Sequence, residues 1–337
     1  LTIPRPAQAL IRGTVLVFAL GTAANANEML LQERATALRA ELQGEAKVEE
    51  LNRVRGAVPG RETEKVGDMG GGAGKRTFHV VVEAPFVVIG DEGTEQVEQR
   101  AAGTVRWAVA QLRKTYFADL PTQPLEIWLL ADEAAYQSVS QNRFDITPPS
   151  PFGFYASQHR ALVINIARGS GTLVHEIVHP LMAHNFPNCP VWFDEGLASL
   201  YEECTEQDGQ IWGLPNWRLR RLRHWLDSDA LPSFESLCSL SRNDFYGEHA
   251  ARNYAQARYL CLYLQHHDKL PSLYRTMHAN RATDPSGWQS LCNVLYEIDA
   301  LRTESSVDHP RMSGNPPPAF LAHWHQFIRG LPWPAEN

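Results

Sequence analysis

The sequence predicts an α+β fold, with a small N-terminal lobe on a mixed sheet followed by a mainly helical lobe. Strand-like runs alternate with helical periodicity between Phe78 and Ile166, and beyond Gly213 only helical spacing remains. The 337 residues, 44% of them hydrophobic, can bury one large core or two modest ones. No internal repeat shows itself. The net charge of −7 gives no argument for a nucleic-acid or anionic-membrane partner.

Residues 1–26 read as a signal peptide. Arg5 and Arg12 form a basic front, Thr14 to Leu20 an apolar core, and Ala24-Asn25-Ala26 a small-x-small cleavage site. The expectation is an exported, periplasmic or extracellular protein cleaved after Ala26. The apolar run is short for a bilayer and no later stretch reaches the length of a span, so no stable membrane span is expected in the mature chain. Residues 27–58 are expected to form an amphipathic helix, with Leu31, Ala35, Leu38 and Leu42 on one face. It reads either as a coiled-coil arm or as a helix lying on the following domain, and the unsustained heptad favours the second. Residues 59–76, ending near Gly70-Gly71-Gly72-Ala73-Gly74, read as a linker, residues 77–331 as the main domain and 332–337 as a tail. The five cysteines contain no C-x-x-C and are expected as packing residues or one or two disulfides.

Within the domain, Phe78–Val82 and Phe86–Ile89 read as strands around a Glu83-Ala84-Pro85 turn. A helix follows from Thr94 to Tyr116, then a strand at Leu125–Leu130, a short helix near Ala134, and a strand over residues 161–166. Gly169 to Thr172 are suited to cap the next helix. Pro180 should kink that helix, and Asn188-Cys189-Pro190 should open a second one running to about Cys204.

Those two helices carry the chemistry. His175, Glu176 and His179 form H-E-x-x-H; imidazoles four residues apart project from one helical face and can close on one cation. By composition such a match is expected by chance in roughly one such chain in thirty. The apolar residues around it, Leu173, Val174, Ile177, Val178 and Leu181, predict a mostly buried helix where unligated His and Glu would be costly. A catalytic zinc needs a third protein ligand and an open position, and Glu195 on the second helix is the natural candidate.

With Trp192-Phe193-Asp194-Glu195-Gly196-Leu197-Ala198, the motif resembles the gluzincin clan of zinc metallopeptidases, in particular the exported bacterial peptidase MA-like proteins. The likeness runs from about Phe78 to Leu331, and its specific part is the two metal helices. The metzincin pattern fails, because it needs Gly at Met182 and His at Asn185. The resemblance implies a zincin, thermolysin-like architecture with the metal helix between the lobes. It implies one Zn2+ per chain held by His175, His179 and Glu195, with Ser199 placed as a weak partner for a ligand His. It also makes the strand at Val163–Asn165, with upstream Gly153-Phe154-Tyr155, a candidate for binding extended peptide, sheet interior being the alternative.

The implied reaction is hydrolysis of a peptide bond by zinc-activated water, with Glu176 as general base. Tyr254 is the chosen oxyanion stabiliser, with Tyr246 and His249 behind it and a plain core tyrosine as the alternative. Arg218, Arg220, Arg221 and Arg223 read as a solvated helix face or as a subsite for acidic side chains. A competing class is a non-catalytic peptide-binding or envelope scaffold protein; the intact Glu176 argues against it. Hydrolysis of a non-peptide amide or ester uses the same chemistry.

Overall fold

The computed structural model describes residues 25–45, 76–169, 171–303 and 314–333. The signal peptide expected at 1–26, but for its last two residues, and the linker expected at 59–76, but for its last, lie outside them. The described chain is mixed α and β and divides into two compact units, one reaching Arg106 and including Pro121–Arg168, the other holding Trp107–Leu120 and the residues from Gly169 onward. No helix among the described residues is long and apolar enough to cross a membrane.

The first unit is built on five strands, β1 (His79–Glu83), β2 (Phe86–Gly90), β3 (Leu125–Leu130), β4 (Gly153–Ala156) and β5 (Ala161–Asn165), in the order β1-β2-β3-β5-β4. β2, β3 and β5 are parallel, while β1 and β4 run antiparallel to their neighbours. The three parallel strands are buried at every position, as near-continuous apolar runs such as FVVIG and LEIWLL require when both faces are covered. One cover is α1 (25–45), whose Leu31, Ala35 and Leu38 are fully buried in a cluster with Val87, Ile89, Trp128 and Val163. Burying Leu31 and Leu38 contributes about 1.5–3 kcal/mol each. The N-terminal helix therefore lies on the sheet as the broken heptad indicates, and the expected residues 46–58 lie outside the described residues.

Two expectations change here. The helix near Ala134 is a full α4 (Glu133–Phe144), because the Asp132 side chain accepts from the Ala135 backbone N–H at 2.8 Å and fixes its start. β5 is interior, with its two sides taken by β3 and β4, so Val163–Asn165 cannot add a peptide strand; β4 is the sheet edge. Sequence periodicity shows that a run is a strand but not which strand flanks it. The helix expected from Thr94 is α2 (Thr94–Arg100), a π-helical turn over Ala101–Val105 and α3 (Arg106–Thr115).

The second unit is helical apart from a hairpin, β6 (Cys204–Gln207) and β7 (Gln210–Gly213). Its helices are α5 (Gly171–Asn185), α6 (Val191–Leu200), α7 (Arg218–Asp227), α8 (Phe234–Cys238), α9 (Arg242–Phe245), α10 (Ala250–His266), α11 (Leu270–Asn280), α12 (Trp288–Thr303) and α13 (Phe320–Gly330). α10 is the hub, buried from Ala255 to Gln265 without a break. Gly196 lets α6 approach it: a Cβ there would meet the Cys261 sulfur at 2.9 Å and the Ala257 carbonyl oxygen at 3.0 Å. α6 ends at Leu200, short of the expected Cys204, where the chain turns into the hairpin. α5 continues through Pro180 to Asn185, and since proline has no N–H, the Glu176 carbonyl lacks the usual bond from residue 180. All five cysteines are free thiols, four of them buried, so they serve as packing residues rather than disulfides.

Candidate metal centre

α5 and α6 bring His175, His179 and Glu195 together, with one ligand atom from each lying within 4.8 Å of the others. Glu195 Oε2 is 3.4 Å from His175 Nε2 and 3.8 Å from His179 Nε2. Ligands bonded tetrahedrally to zinc at about 2.0–2.2 Å stand roughly 3.3–3.6 Å apart, so the donor set fits such an ion with small adjustments. The buried Glu195 Oε2 has no hydrogen-bond partner, whereas Oε1 accepts from the Tyr246 hydroxyl at 2.6 Å. An ionised oxygen left bare in a protein interior is costly, and a cation held by the two imidazoles and this carboxylate removes the cost.

The other nitrogen of each imidazole faces its own carboxylate. His179 Nδ1 is 3.0 Å from Asp194 Oδ1, and His175 Nδ1 is 3.1 Å from Glu202 Oε1. The His179–Asp194 hydrogen bond selects the tautomer that leaves Nε2 of His179 free, while Glu202 faces Nδ1 of His175 without hydrogen-bond geometry. Asp194 is held in turn by Arg242 Nη2 at 3.1 Å, and Arg242 Nη1 also donates to the Tyr246 hydroxyl at 3.2 Å. Glu202 accepts from Arg218 and, at 3.2 Å, from Asn216 Nδ2. Gly171, one turn before His175, makes room for this: a Cβ there would sit 2.2 Å from the Glu202 carbonyl oxygen.

The electrostatics follow. Arg242 answers Asp194 and Arg218 answers Glu202, but among the described residues neither Glu176 nor Glu195 pairs with Arg or Lys. The imidazoles are the cations left to them. Burial works to lower both histidine pKa values, yet the close carboxylates of Glu195 and Glu202 carry His175 well above its usual value, and the charges of Asp194 and Glu195 carry His179 to about 9. Glu195 is pulled to about 2 against its burial, by the charge of His179 and by His175 beside it. Glu202 is likewise pulled to about 2 against its burial, chiefly by Arg218. Glu176 moves the other way, because burial outweighs the histidines and raises its pKa. That is the direction expected of a carboxylate meant to accept a proton.

Of the tyrosines weighed from the sequence, both lie at this centre. The Tyr254 ring is 6.5 Å from the His175 ring, centroid to centroid, and its pKa is raised by burial and then by the Glu195 charge. Tyr246 bonds Glu195 directly and therefore positions a ligand. His249 is exposed ahead of α10 and joins none of these contacts. The fully buried Ser199 hydroxyl has no hydrogen-bond partner, so it does not orient a histidine; Asp194 bonds His179, and Glu202 faces His175 at 3.1 Å. Sequence reading missed both. Asp194 could have been noticed as the residue beside a ligand, but Glu202 lies beyond the end of α6 and reaches His175 only through the fold. Arg218, read as part of a solvated face, is mostly buried against Glu202.

The chain matches no protein-family model and no curated protein.

Proposed function

We propose that this protein is a zinc-dependent hydrolase of peptide bonds, of the gluzincin type that its H-E-x-x-H and W-F-D-E-G-L-A segments resemble. The observation that carries the reading is the buried convergence of His175, His179 and Glu195, with a carboxylate behind each imidazole and a bare Oε2 on Glu195. Zinc bound there would supply a Lewis acid able to polarise a carbonyl oxygen and acidify water. A small mixed sheet followed by a helical lobe is in keeping with a zincin architecture. Export after signal-peptide cleavage belongs to the same reading.

Glu176 follows His175 in sequence without joining the ligand group, and burial raises its pKa, the direction that favours proton acceptance. Its carboxylate takes a proton from the attacking water and hands it to the departing amine. Asp194 keeps the His179 imidazole in the required tautomer, Glu202 faces Nδ1 of His175, and Tyr246 holds Glu195 by Oε1 so that Oε2 faces the histidines. Tyr254, whose hydroxyl burial keeps neutral, would donate to a developing oxyanion.

The test is Glu176→Gln, which removes proton acceptance while preserving size and every ligand. Zinc content should persist while turnover of a peptide library falls about a thousandfold, within the roughly 10²–10⁴ expected of a general base. Wild-type protein that carries zinc and cleaves nothing, while still binding peptides, would replace hydrolysis with peptide binding.

A further inference from the structure

Beside the metal centre the second unit has a shallow, partly open recess of about 70 Å³. Trp217, Arg221 and Trp225 line it at four-residue spacing along α7 and the residue before it, joined by Arg218. α10 supplies Ala251 and Ala255, one turn apart and too small to fill the space, and Tyr254. Trp217 is 58% exposed, an uncommon placement for the largest side chain, with the Arg218 guanidinium 4.2 Å from its ring centroid. The recess adjoins the proposed chemistry through two of its residues: Tyr254 stands against His175, and Arg218 bonds Glu202, which faces His175 Nδ1.

Its charge is one-sided. The lining contains two guanidiniums and no carboxylate. Arg218 is answered by Glu202, but Arg221 has no carboxylate partner among the described residues; its guanidinium sits 5.0 Å from the Trp225 ring centroid. Stacking on an aromatic face leaves the in-plane N–H groups free to bind a carboxylate in the bidentate manner. Aromatic walls meanwhile take the methylene stem of a side chain.

We propose that this recess is the specificity pocket for an acidic side chain of the peptide substrate, Glu before Asp for reach, with Arg221 as its charge-reading residue. The assignment rests on the proposed peptide hydrolysis. A residue held between Trp217 and Trp225 places its backbone near Tyr254 and hence near the bond to be cut.

The test uses the full chain loaded with zinc and two readouts. Fluorescein-labelled alanine pentapeptides carrying Glu, Gln, Lys or Phe at each position in turn are compared for cleavage, as ratios of kcat/KM within each variant, and for binding to the Glu176→Gln form by fluorescence anisotropy. Wild type should prefer Glu over Gln by about tenfold and over Lys by more at one position, Arg221→Gln should abolish the preference, and Arg221→Glu should turn it toward Lys. Arg221 is exposed on a helix face, so these variants should keep their circular dichroism spectrum. Cleavage with no Glu preference, a preference for Phe, or a Glu:Lys ratio unmoved by Arg221→Glu overturns the pocket and leaves the hydrolase reading standing. If nothing is cleaved, the hydrolase reading fails, and anisotropy decides the pocket alone: a Glu preference that Arg221→Glu reverses supports it, equal affinities overturn it.

Discussion

Each unit of this protein buries a glutamate, and the two are treated in opposite ways. In the sheet unit, Glu126 on β3 is 7% exposed, and its two oxygens are taken up by Arg34 at 2.8 Å and by the indole N–H of Trp128 at 2.8 Å. In the helical unit, Glu195 on α6 is 3% exposed; one oxygen accepts from Tyr246 and the other has no hydrogen-bond partner beside two imidazoles. The first is a structural carboxylate whose charge is matched from within. The second is a carboxylate whose matching has been left to something that binds. Burial alone therefore does not mark a site; at Glu195 the mark is a buried carboxylate oxygen within 3.8 Å of two imidazole nitrogens on a neighbouring helix.

The largest expected break in this comparison is the thousandfold loss of turnover for Glu176→Gln, for which no change in the sheet unit has a counterpart. Next in size is pH. In the metal-free chain His179 titrates near 9 against about 6.5 unfolded, so its contribution is fully present below pH 6.5 and is lost as pH rises through 9. A shift of that size corresponds to about 3 kcal/mol. Glu195 and Glu202 act at the other end: their contributions are present above about pH 4.5 and are lost as pH falls through 2. Metal-free protein should thus be most stable to urea between about pH 4.5 and 6.5, and zinc affinity should climb from pH 6.5 to 9 as the histidines give up protons. A metal-free stability that holds level from pH 6 to 9 would show that Asp194 and Glu195 do not retain a proton on His179.

A smaller effect tests the carboxylates behind the ligands. Glu202→Gln should weaken zinc roughly 10–100-fold without abolishing it, measured by competition with a chelating dye. Unchanged affinity would reduce Glu202 to a partner of Arg218. The smallest effect belongs to the sheet unit's surface. Arg168 and Glu133 are 3.7 Å apart with side chains 53% and 46% exposed, and Arg168→Ala should cost less than about 1 kcal/mol in chemical denaturation.

Much of this contrast could be read along the chain, and the rest could not. His175 and His179 were legible because helical spacing puts side chains on one face whatever surrounds them, and Glu195 came from the need for a third ligand and the gluzincin resemblance. β2, β3 and β5 were legible because parallel interior strands need unbroken apolar runs. The neighbours of β5 were not, since strand order is set by crossovers that periodicity does not encode. Glu202 was hidden for a similar reason: it meets His175 only because Gly171 lets α5 pass close to its backbone. Arg218 sits among three other arginines, and only the fold separates the one that pairs with Glu202 from the one left open at Arg221.

The most direct test is zinc content by plasma mass spectrometry after gel filtration, for wild type, Glu126→Gln and Glu195→Gln, each checked for native circular dichroism. The account predicts one zinc per chain for wild type and for Glu126→Gln, and less than about a tenth of that for Glu195→Gln, which loses one of three protein ligands. Equal zinc in wild type and Glu195→Gln would contradict it.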